Sequence, residues 1–162
     1  MNVARENILA RVRSALRTNA HRPLPPTGAA VFPAVADFGA RFREEFTALR
    51  GEIFESLPAA EEGWSVTGCD CLVAMTGSIF VSTRSANGRA ASVLPAMHLV
   101  VARRKQIVPD LPAAFALLRS RYGKNWPSSL SLITGPSRTA DIEKILVMGA
   151  HGPKRLAVYF ES

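Results

Sequence analysis

Apolar positions along the chain change their spacing several times, and each change marks an element. From Ala4 to Leu16 the apolar residues Ile8, Leu9, Val12, Ala15 and Leu16 recur at helical intervals, with the arginines elsewhere on the turn. The proline-dense His21–Gly28 cannot continue that helix. Phe38, Phe42, Phe46 and Leu49 write a second helix, stopped by Gly51, and Ile53-Phe54 reads as a brief strand. Strand-like runs follow at Cys71–Ala74 and Ile79–Thr83, then a turn at Asn87-Gly88 with a returning arm over Ala90–Leu94, which together predict a hairpin. Met97-His-Leu-Val-Val-Ala102 reads as another buried strand, and Gln106–Val108 adds a further short run after a basic turn. Asp110 caps a third helix whose apolar side is Leu111, Phe115, Leu118 and Tyr122, with Gly123 as its stop.

The stretch Ser129–Pro153 organises the second half. Leu130–Ile133 alternates with serines as a half-buried strand, and Thr134-Gly135-Pro136 breaks it. Ile142, Ile145, Leu146 and Met148 predict a helix from about Thr139 to Gly149, capped by Ser137 or Thr139 and carrying Asp141 and Glu143 in its first turn. His151-Gly152-Pro153 turns the chain into a last strand, Leu156–Phe160. Alternating strands and helices predict a single α/β domain whose central sheet is mostly parallel or mixed. The expected organisation is an N-terminal helix (1–20), a Pro-rich linker (21–34) and the α/β domain (35–162).

Composition narrows the class. At 162 residues, 48% hydrophobic and 20% charged, the chain has the balance of a water-soluble globular protein. No run reaches the about 20 apolar residues of a membrane span, and Met1–Asn7 lacks an apolar signal core. Cys69 and Cys71 are too close for an easy mutual disulfide and too few for a cluster or zinc site, which implies a reduced, cytoplasmic setting. The formal charge of +7 raises nucleic acid as a partner. Arg11/Arg13/Arg17, Arg103-Arg104-Lys105 and Arg119/Arg121/Lys124 are scattered without interleaved aromatics, so solvated faces are expected instead.

A strand–loop–helix unit would aim backbone N–H groups at an anion, with the hydroxyls of Thr134, Ser137 and Thr139 and the guanidinium of Arg138 beside them. The alternative is plain helix capping, with Arg138 paired to Asp141 or Glu143. Thr76-Gly77-Ser78 is either a hydroxyl-lined turn near a ligand or a strand bend. His98 is either a core histidine or a ligand group, and His151 a ligand group or a structural turn residue. Trp64 and Trp126 are expected to cover the core. No nucleophile–base pair, metal cluster or dinucleotide fingerprint can be assembled, so catalysis by this chain alone is not expected.

Four segments carry a resemblance: Ala4–Arg13; Val66-Thr-Gly-Cys-Asp70 with Ala74-Met-Thr-Gly-Ser-Ile79; Leu94-Pro-Ala-Met-His-Leu99; and Ile133-Thr-Gly-Pro-Ser-Arg-Thr-Ala-Asp-Ile-Glu143 through His151-Gly-Pro153. Together they resemble the lactate-utilisation protein C family, the LUD-domain proteins, over most of the chain. The resemblance implies a fold similar to the sugar-phosphate isomerase and coenzyme A transferase group. It also implies an accessory role, beside iron–sulfur subunits, in oxidising L-lactate to pyruvate. Clusters would then belong to the partners, with no cofactor bound by this chain. Thr76, Gly77, Ser78, His98, Thr134, Gly135, Ser137, Arg138, Thr139 and Asp141 become the expected ligand-binding set for a small carboxylate or phosphate. An enzyme or binding module for a sugar phosphate or acyl-coenzyme A is the other implied reading. Against the family pattern, strand and helix material is missing between Phe54 and Trp64: either this is a trimmed variant, whose exposed edge or face would favour oligomerisation, or part of the chain is absent from the sequence. Met75 stands where the family often has an acid, so no proton carrier is expected there.

Overall fold

The computed structural model describes residues 3–17, 35–86, 88–140, 146–149 and 151–161. The linker expected at 21–34, Asn87 of the expected hairpin turn, and Asp141 to Ile145 lie outside the described residues. In chain order the elements are helix α1 (Val3–Leu16), helix α2 (Phe38–Ala48), and strands β1 (Glu52–Phe54), β2 (Trp64–Thr67), β3 (Cys71–Val73), β4 (Ser78–Ser82), β5 (Met97–Arg103) and β6 (Ile107–Val108). Helix α3 (Leu111–Tyr122) follows, then β7 (Leu130–Ile133), β8 (Arg138–Ala140), β9 (Leu146–Met148) and β10 (Arg155–Glu161). The chain divides into two compact units, Met1–Pro33 and Ala34–Ser162. In the first, α1 buries none of its residues.

The second unit is α/β, as the alternation predicts, but its strands fall into two four-stranded sheets. The first, β1-β10-β5-β2, is parallel throughout; the second, β6-β3-β4-β7, is mixed. Glu52 on β1 receives two hydrogen bonds from Arg155 on β10, at 2.8 and 2.7 Å, across that parallel pair. Between the sheets lies the main core. Phe42 and Phe46 of α2, stacked with centroids 5.2 Å apart, pack there with Leu72, Ile79 and Val81 of one sheet and Val100, Leu156 and Val158 of the other. Each large side chain so buried contributes about 1.5–3 kcal/mol. The opposite pleat of the mixed sheet, Cys71, Val73 and Phe80, packs on Ala114, Leu118 and Tyr122 of α3. On the outer face of the parallel sheet, Met97, Leu99 and Ala157 pack with Phe54, Trp64 and Tyr159.

Two sequence expectations are corrected. Ala90–Ser92 is a 3₁₀ turn rather than a returning strand, and β4 pairs instead with β3 and β7. No helix starts at Thr139. Arg138–Ala140 is strand β8, antiparallel to β9, with Thr139 opposite Val147. Ser137 N–H donates to the Pro153 carbonyl and Gly149 N–H to that of Ser137, both at 2.9 Å, and these bonds hold the segment extended. Leu146 and Met148 are also two apart, as residues on one face of a strand are, and β-branched Val147 and Thr139 favour the strand.

Candidate functional site

Several of the residues singled out in the sequence line one cavity of about 430 Å³. His98, Thr134, Gly135, Ser137, Arg138 and His151 contribute to it, with Ser92, Leu132 and Leu156 among the other walls. It opens at the carboxyl end of β7 but at the amino ends of the parallel strands β5 and β10, since His98 and Leu156 are the second residues of those strands and are register partners. The cavity thus lies at a strand carboxyl end for β7 alone.

The loop 134–137 is shaped by contact, not by a helix start. Gly135 has φ 77°, and a Cβ there would stand 2.9 Å from the Leu49 carbonyl oxygen and 3.1 Å from the Arg138 guanidinium, so Arg138 folds back over the glycine. Thr134 Oγ1 lies 2.8 Å from Ser78 Oγ, which ties the loop to β4. Ser78 is therefore one hydrogen bond behind the cavity wall. Thr76 and Gly77 are not on that wall. Gly77, at φ 59°, lies against α2, where a Cβ would come within 2.5 Å of the Phe46 backbone nitrogen. Thr139 lies on β8 beside Arg138 and is not among the wall residues; Asp141 lies outside the described residues.

His98 is fully buried, and burial pushes its imidazole down to about 4, so the ring is neutral near pH 7. Its Nε2 lies 2.8 Å from Thr67 Oγ1. Thr67 Oγ1 also reaches the Gly68 carbonyl at 2.9 Å; with the hydroxyl proton directed there, the ring proton sits on Nε2, which donates to Thr67. That leaves Nδ1 as a bare acceptor, and Nδ1 is buried with no partner among the described residues. The cavity thus brings together a cation at Arg138 and hydroxyls at Thr134 and Ser137, with the buried His98 ring forming part of its wall. Thr67 escaped notice in the sequence because nothing local links it to a histidine on another strand.

A second polar group also escaped notice. Asp70 is buried between the two cysteines and accepts from Tyr122 OH, from Ser85 Oγ at 3.1 Å and from Arg121 at 3.2 Å. Burial first, and then the hydrogen bond to Asp70, raises the Tyr122 phenol. The Cys69 thiol is pushed up to about 12 by burial and by Cys71 and Asp70, and burial and Asp70 push that of Cys71 up to about 11. Both thiols are buried, and two sulfurs supply only half of the four ligands that an iron–sulfur or structural zinc site takes. Among the described residues no group of three His, Cys, Asp or Glu side chains is placed to hold a metal.

Comparison with known proteins gives a consistent result. The family model described as LUD domain matches residues 30–160. Lactate utilization protein C of Geobacillus kaustophilus is 30% identical over 138 residues, covering 77% of this chain and 58% of that protein. Lactate utilization protein C of Bacillus subtilis is 34% identical over 116 residues, covering 70% and 48%. Lactate utilization protein C 1 of Bacillus mycoides is 36% identical over 94 residues, covering 57% and 40%. The chain thus spans between 40 and 58% of the length of these three relatives. The crystal structure of a DUF162 family protein from Deinococcus radiodurans aligns with TM-score 0.58 at 20% identity, covering 79% of this chain and 99% of that one. The likeness is one of fold.

Proposed function

This chain belongs to the LUD-domain family, and from that premise we propose that it serves lactate utilisation by holding a 2-hydroxycarboxylate in the cavity around His98. Its role is that of an accessory subunit in an iron–sulfur system that oxidises L-lactate to pyruvate. The names of its relatives support the biological setting. The observation that carries the site is the buried Nδ1 of His98, which has no partner among the described residues.

A 2-hydroxycarboxylate presents a hydroxyl donor next to a carboxylate. The hydroxyl donates to His98 Nδ1, and Arg138, on the same cavity wall, takes the carboxylate in a charge-assisted pair. Thr134 and Ser137 supply further hydroxyls. An imidazole held at about 4 is too weak a base to strip a proton from an alcohol, so His98 orients the ligand instead of deprotonating it. Oxidation of lactate releases two electrons and two protons, and the acceptor belongs to the iron–sulfur partners. Because Cys69 and Cys71 do not fit a cluster, no step is assigned to one on this chain.

Calorimetric titration with L-lactate, pyruvate and propionate tests the reading. L-lactate binds, propionate binds at least about tenfold more weakly for want of the hydroxyl, and Arg138→Ala abolishes both. Equal affinity for lactate and propionate, or no binding by either, would remove the assigned role of His98. Affinity capture of the tagged chain tests the partner assignment, with iron-containing subunits expected to co-purify and iron-free eluates contradicting it.

A further inference from the structure

The parallel sheet ends at a second cavity, unrelated to the one around His98. Phe54, Arg103 and Glu161 are the last residues of β1, β5 and β10, and all three line an open concavity of about 810 Å³. In open α/β sheets ligands gather at this end of parallel strands. Around it stand four cations, Arg43 from α2 and the run Arg103, Arg104 and Lys105, against two carboxylates, Glu55 and Glu161. Arg43 pairs with Glu55 at 3.4 Å and Arg103 with Glu161 at 2.8 Å, which leaves Arg104 and Lys105 in charge excess. Arg104 is held with its guanidinium 5.6 Å from the centroid of the Phe160 ring. The basic turn is braced from behind. Gln106 accepts from Arg103 N–H and donates to the Cys69 carbonyl, each at 2.7 Å. Ile53, Phe54 and Phe160 add apolar surface to the cavity.

We propose that this cavity binds a nucleoside diphosphate, its phosphates between Arg103, Arg104 and Lys105 and its planar base beside Ile53 and Phe160, which share the inner face of the sheet. A monocarboxylate carries a single charge and would leave half of the excess of two unmatched, whereas the diphosphate of ADP carries about three charges near pH 7 and offsets it fully. The cations line a concavity and do not form a stripe along the surface, which favours a compact polyanion over a nucleic-acid strand.

Titration of the full chain with ADP, inorganic pyrophosphate and orthophosphate at low salt tests this. ADP is expected to bind most tightly, pyrophosphate less and orthophosphate least, with affinity falling as salt is added. Arg104→Ala should weaken ADP by about 10- to 100-fold. Arg119→Ala, which removes an equal charge from the exposed side of α3, should leave ADP binding unchanged. Circular dichroism of each variant separates lost binding from lost fold. The proposal is overturned if ADP does not saturate, if Arg119→Ala weakens it as much as Arg104→Ala, or if a single-stranded oligonucleotide binds more tightly than ADP.

Discussion

A single methyl group added at Gly77 would stand 2.5 Å from the backbone nitrogen of Phe46, at a φ of 59° that L side chains rarely adopt. Neither backbone can yield without opening the seat of α2. Gly77→Ala is therefore expected to cost on the order of 3 kcal/mol, read as a lower urea midpoint with unchanged slope. His98 sets a pH dependence at the same scale. Its folded-state value of about 4 lies below the ordinary value of 6.5, so the unfolded chain binds the proton first as pH falls. The contribution is intact above about pH 6.5, declines by about 1.4 kcal/mol per pH unit down to about pH 4, and is constant below that. His98→Gln, which keeps an amide near Thr67 without a titrating ring, should flatten that window in denaturant titrations from pH 7 to 4. An unchanged slope would mean that His98 titrates normally.

Between elements, the Asp70 network joins the start of β3, the turn after β4 and the end of α3. Tyr122 OH also lies 3.1 Å from Ser82 Oγ, so one phenol serves two partners. Tyr122→Phe leaves the Asp70 carboxylate short of a donor and is expected to cost about 1–3 kcal/mol in thermal or chemical unfolding. Loss below 0.5 kcal/mol would show that Ser85 and Arg121 suffice. None of this was legible in the chain, because Asp70 and Tyr122 are 52 residues apart and no spacing rule relates them. Elements with strong local signals were legible. The four-residue spacing of Phe42 and Phe46 gave α2, Asp110 and Gly123 bounded α3, and the Met97–Ala102 run gave β5. The helix expected from Thr139 failed because Leu146 and Met148 also satisfy the period of a strand, and tertiary hydrogen bonds from Ser137 and Gly149 select the extended form. Even so, the cavity gathers His98, Thr134, Gly135, Ser137 and Arg138, because the loop after β7 reaches it whatever follows the loop.

For the whole molecule, the net charge of +7 comes from basic residues scattered along the sequence. Binding to random duplex DNA should be weak and should vanish with modest added salt; salt-resistant, sequence-selective binding would contradict that view. The fold divides its polar chemistry between the two ends of the parallel sheet. At the amino ends, one buried imidazole nitrogen has no partner among the described residues; at the carboxyl ends, cations exceed carboxylates. The lactate reading depends on the first of these. It is tested most directly by nitrogen NMR of the His98 ring in the full chain, with and without L-lactate. The account predicts a neutral ring protonated on Nε2, whose unprotonated Nδ1 resonance moves on addition of L-lactate but not of propionate. A ring protonated on Nδ1, or an Nδ1 resonance that ignores lactate at saturation, would contradict it.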